Sequence, residues 1–80
     1  MANETAAEIA AHYTALGHSV DLINAIDGGT AHQELDDAEK QDTVDRNVAH
    51  LELMKTRDYW TSESFTAVDA AIVTGKAYTP

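Results

Sequence analysis

The chain has no cysteine, which excludes disulfides and thiolate metal sites. Its first 39 residues contain no Lys or Arg, yet they hold eight carboxylates: Glu4, Glu8, Asp21, Asp27, Glu34, Asp36, Asp37 and Glu39. All five basic side chains fall between Lys40 and Lys76 among six further acids, so the charge is −8 before Lys40 and −1 from there on. The total of −9 disfavours nucleic acid and anionic membranes as partners, because binding a polyanion needs basic charge to displace its counterions. No stretch approaches the roughly 18–20 apolar residues of a membrane span. The opening MANETAAEIAAHY lacks a basic segment followed by an apolar run, so no secretory signal or transit peptide is expected and a cytoplasmic location is the default.

Bulky apolar residues are also scarce. The 80 residues include 14 Ala and only five aromatics. A chain of this length makes a single domain, 1–80, and buries only about 60–65% of the surface its unfolded form exposes. Such a core rarely supplies more than roughly 3–5 kcal/mol. With disulfides excluded, a partner subunit or a His and carboxylate metal is left as reinforcement, and the expected oligomer is a homodimer.

What the chain does have is helical periodicity. Ile9, Tyr13, Leu16, Val20 and Ile23 recur at spacings of four and three, which places them on one helix face ending at the Gly28-Gly29 stop. This predicts a first helix from Asn3 or Thr5 to Asp27. Gly17 lies inside it, and a break there with Ser19 capping a second short helix is the alternative. Leu22 and Ile26 add a second stripe, so this helix wants contacts on more than one side. A loop from Gly28 to Gln33 follows. The second helix is expected to begin between Leu35 and Asp37, with acids crowding the end that favours negative charge, and to finish near Arg57. Val44, Val48, Leu51 and Met54 form its apolar stripe, and the short connection predicts antiparallel packing on the first helix. Leu53 points about 180° away from Val44, and reads either as one exposed Leu or, with Ala49, as a subunit contact. Capping residues at Thr61 to Ser64, and a possible box from Thr66 to Asp69, open a third helix that reaches about Tyr78, with Phe65, Val68 and Ile72 as its face. Trp60 is the largest apolar body at the corner before it. The expected fold is all-α, an antiparallel hairpin closed by a shorter third helix.

Candidate chemistry is sparse. Four His in an acidic chain invite a metal reading, with Glu8 near His12, His18 near Asp21 and His50 near Glu52. Di-metal bundles repeat Glu-x-x-His on two helices, and this chain has no such pair. Glu34-x-x-Asp37 and Asp42-x-x-Asp45 could hold Mg²⁺, but a quartet of carboxylates from two helices and a basic group for phosphate are missing. Ser62 and Ser64 read as caps, and Gly28-Gly29-Thr30 lacks the Lys and the context of a phosphate loop. No catalytic, cofactor-binding or metal residue is therefore assigned.

The stretch Val44-Asp45-Arg46-Asn47-Val48-Ala49-His50-Leu51, then Asp58-Tyr59-Trp60-Thr61, then Asp69 to Tyr78 resembles small uncharacterised proteins of marine tailed phages, cyanophages in particular. The resemblance covers about the second half of the chain. It implies a phage origin, hence the host cytoplasm, and carries no activity. The function expected is non-enzymatic, by protein binding or self-assembly, with Leu22, Ile26, Ala49 and Leu53 as candidate interface residues. An acidic decoy for a nucleic-acid-binding host surface is the alternative, and a carboxylate and His metal enzyme the third reading.

Overall fold

The structure is a computed structural model that describes residues 5–57 and 65–80. Three helices occupy them: α1 (Ala6–Gly28), α2 (Asp37–Met54) and α3 (Thr66–Ala77). There is no strand among the described residues, and the protein is a small all-α three-helix bundle. The expected corner at Trp60 and the capping cluster Thr61 to Ser64 lie outside the described residues.

Local chemistry sets both ends of α1. Thr5 is its N-cap: the Thr5 Oγ1 accepts from the Glu8 backbone N–H at 3.2 Å, and the Glu8 carboxylate accepts from the Thr5 backbone N–H at 3.0 Å. This reciprocal box satisfies two of the helix's four orphan donors. At the other end Gly29 takes the left-handed conformation, φ 71°, which costs a glycine little. Its N–H donates to Ile26 O at 3.2 Å, and that of Thr30 donates to Ala25 O at 2.9 Å, the paired closure of a Schellman motif. The helix runs unbroken through Gly17, so the alternative break is not formed.

The α1–α2 connection holds a second left-handed residue, His32, φ 59°. Asp36 then caps α2 in the same reciprocal way, accepting from Glu39 N–H at 2.8 Å while Glu39 accepts from Asp36 N–H at 2.9 Å. Much of the acid that crowds this segment is thus a helix start. The helix ends at Met54, three residues short of the expected Arg57, and Lys55 is its C-cap. The expected box at Thr66 is not made either. Thr66 is the first residue of α3, Phe65 stands at the cap position without a side-chain bond, and Asp69 pairs with Lys55 instead.

Cross-helix contacts fix the topology. Ser19 of α1 meets His50 of α2, while Gly75 of α3 lies against Val48, Val44 and Ile23. Residues 19 to 23 therefore run beside residues 50 to 44, the antiparallel hairpin expected. Val68 lies beside Leu16 and Val20, so α3 runs parallel to α1 and antiparallel to α2. The core contains Leu16, Val20, Ile23 and Ile26 from α1, Val44, Val48, Leu51 and Met54 from α2, and Val68, Ala71 and Tyr78 from the third segment. A Cβ on Gly75 would stand 2.3 Å from Val48 Cγ2, a distance real carbons do not tolerate. Glycine at this position is what lets α3 settle onto α2.

The face expected of α1 is only partly covered. Leu16, Val20 and Ile23 are buried, but Ile9 is half-buried and Tyr13 remains 37% exposed. α2 and α3 enclose the C-terminal part of the helix more fully than its start.

Candidate interaction surface

Buried polar side chains are few among the described residues, and a cross-helix pair between α1 and α2 is structural in form. Ser19, 4% exposed, shares a 2.8 Å hydrogen bond between its Oγ and His50 Nδ1. A serine and a histidine at that distance are the start of a nucleophilic pair. Ser19 is enclosed, however, so a substrate has no approach to Oγ, and the bond instead satisfies two polar groups where α1 and α2 meet. The serine read as a possible cap is thus a tie between helices.

The carboxylates are dispersed along the surface. Asp36 and Glu39 cap α2, Asp42 pairs with Arg46 at 2.9 Å, Asp45 accepts from Gln41 at 2.9 Å, and Glu34 lies 3.7 Å from His32. Among the described residues no three His, Asp or Glu side chains converge as a ligand set. One carboxyl is held below the usual range. Glu8 is lowered from 4.5, first by the Thr5 backbone N–H, then by the Thr5 hydroxyl, with His12 adding a smaller favourable field. That is the electrostatics of a cap.

Four residues were singled out as a candidate interface, and the structure distributes them unequally. Ile26 is 4% exposed and belongs to the chain's own core. Leu22 is half-buried against that core. The second stripe of α1 therefore finds much of its cover within one chain, because two helices rather than one pack against α1. Ala49 and Leu53 are exposed on α2, Leu53 at 59%.

Leu53 has a counterpart that the sequence reading missed. Val73 of α3 is 69% exposed. It lies one turn beyond Asp69 and one turn before Lys76, while Leu53 lies between Glu52 and Lys55. Those four charged residues join the two helices: Lys76 Nζ stands 2.8 Å from Glu52 Oε2, and Lys55 Nζ pairs with Asp69 Oδ1. Lys55 also stands 5.3 Å from the centroid of the Phe65 ring, a cation–π distance. Because α2 and α3 are antiparallel, the two pairs bring residue 53 level with residues 72 and 73. The result is an outer α2–α3 face with Leu53 and Val73 at its middle and alternating charge around them. The signal for Val73 was present in its spacing, since it falls about 140° from Val68 as Leu53 does from Val48. It was obscured because Ile72 beside it served as the face.

A concavity of about 270 Å³ lies between α1 and α3. Tyr13, Leu16, Gly17, Val20 and Asp21 form one wall, and Ala67 and Val68 the other. The groove follows from Gly17 and Ala67, which have little or no side chain to fill the space, and its floor is core.

Fold and surface together define a small helical bundle with an exposed apolar pair set among interhelical ion pairs. No known protein family, curated protein or solved structure matches the chain. No helix among the described residues is long and apolar enough to cross a membrane.

Proposed function

We propose that this protein acts without catalysis, by binding protein through the outer α2–α3 face. The observation that carries the reading is the pair Leu53 and Val73, exposed at 59% and 69% on adjacent helices at one level. A single exposed leucine needs no explanation. Two large aliphatic residues exposed at one level on adjacent helices, with the ion pairs Glu52–Lys76 and Lys55–Asp69 between those helices, have the composition of a contact centre with a polar rim. Burying both is worth about 2–4 kcal/mol at the usual value per side chain, enough to bias an encounter and too little for tight binding alone. The phage setting rests on the resemblance of the second half to small marine phage proteins.

Acidity favours a second reading. α1 carries Glu8, Asp21 and Asp27 and no Lys or Arg, so its exposed side would attract a basic surface that normally holds nucleic acid. One experiment separates the two. A photo-reactive side chain placed at position 53 or 73, and separately at Thr14 on the exposed side of α1, is irradiated in the producing cell and at rising salt in its lysate. Protein adducts from positions 53 and 73 that persist as salt rises are expected. Adducts from position 14 alone, lost as salt rises, would move the function to the acidic decoy.

A further inference from the structure

We infer that the occupant of the outer α2–α3 face is a second copy of this chain, related by a two-fold axis lying in that face. The inference rests on the reading of this face as the binding surface and adds the partner. Charge selects it. Each molecule carries −9, so two copies repel unless they meet where charge is balanced. On this face it is balanced pairwise, Glu52 with Lys76 and Lys55 with Asp69. The signs also alternate: α2 presents Glu52 then Lys55, and at the matching levels α3 presents Lys76 then Asp69. A two-fold axis along the helices sets Glu52 of one copy opposite Lys76 of the other. One across them sets Glu52 opposite Lys55. Either way unlike charges face each other around Leu53 and Val73, which is the self-complementarity a two-fold contact requires.

The same axis turns both α1 helices outward. The bundle is 17 to 20 Å across its short dimensions, so Glu8, Asp21 and Asp27 of α1 stand more than one Debye length, about 8 Å at physiological ionic strength, from the contact, while the acids of α2 remain near it and are what salt must screen. Size then sets the strength. α3 is about 18 Å long, so a face some 20 Å wide offers roughly 400 Å² per copy, about half of what a standard stable interface contributes. The contact is therefore weak and concentration-dependent, and it tightens as salt screens the repulsion.

Sedimentation equilibrium of the full chain from about 10 μM to about 1 mM, at low and high salt, tests this. The mass should climb from one chain towards two, reaching half-conversion at hundreds of micromolar, and sooner in high salt. Leu53→Glu with Val73→Glu should hold the monomer throughout, whereas Thr14→Glu with His18→Glu adds the same charge on the outer side of α1 and should dimerise as the parent does. Both pairs are at exposed positions, and circular dichroism verifies the fold. A parent that stays monomeric at about 1 mM in both salts, association that weakens with salt, or equal loss in both double variants would overturn the inference. If the parent is monomeric while a cross-linker at position 53 captures a different protein, the self-association falls and the wider reading stands. If the parent is monomeric and nothing is captured at 53 or 73, both fall.

Discussion

The two parts of α1 were built from the same periodic pattern and ended differently. From Leu16 to Ile26 the helix buries Leu16, Ser19, Val20, Ile23 and Ile26, while from Ala6 to Ala15 none of its residues is fully buried. Both stretches place large residues at spacings of three and four. Only the second has α2 and α3 on both sides at its own level. A hydrophobic stripe therefore reports a direction around the helix axis, and its energy depends on what lies across from each turn.

Paired truncations sharpen that comparison most. Ile23→Ala removes a side chain with no exposed surface and should cost about 2–5 kcal/mol, most of the stability of so small a domain. Ile9→Ala, at a half-buried position on the same stripe, should cost about 1 kcal/mol or less on the same scale. Chemical denaturation of the two variants checks this. Equal losses would mean that the start of α1 is covered as fully as its end.

The two mid-helix glycines give the next largest contrast. Gly75→Ala drives a methyl into Val48 and should destabilise by about 1–3 kcal/mol, the usual range for overpacking. Gly17→Ala meets nothing within 4 Å and should stabilise by about 0.5–1 kcal/mol, the propensity difference alone. Melting temperatures that move in opposite directions are expected. A loss at Gly17 would show that the α1–α3 groove needs the space beside Gly17 open.

The smallest effect concerns the exposed start of α1. Folding lowers the Glu8 carboxyl below 4.5, so its cap contributes above the unfolded value and is lost as pH falls through the folded one. Glu8→Gln should fray the first turn at neutral pH, and the difference from the parent should shrink below about pH 4. Amide exchange of residues 6–9 measured across that range is the readout. A difference that persists unchanged in acid would show that the Glu8 charge is not what holds the turn.

Much of the candidate surface was legible beforehand and part was not. Leu53 could be found because it opposes a clear α2 stripe. Val73 could not be valued, because its meaning comes from standing beside Leu53 across the antiparallel α2–α3 seam. Ile26 reads as surplus on one helix and becomes core once a bundle surrounds it. Ser19 reads as a cap only in the alternative that breaks α1 at Gly17, and its role as a tie between helices depends on a histidine 31 residues away.

The sequence by itself determined where the first two helices start and how the first one stops. Thr5 with Glu8, Asp36 with Glu39, and Gly29 act within a single turn, so their chemistry is complete in a few consecutive residues. It also determined the helical class and the division of charge. Tertiary structure alone decided which turns of a stripe are covered, why residue 75 must lack a side chain, and which carboxylates the lysines Lys55 and Lys76 choose. Those outcomes depend on residues 14 to 52 positions apart in the chain, and periodicity along one helix carries no information about which neighbour lies across from it.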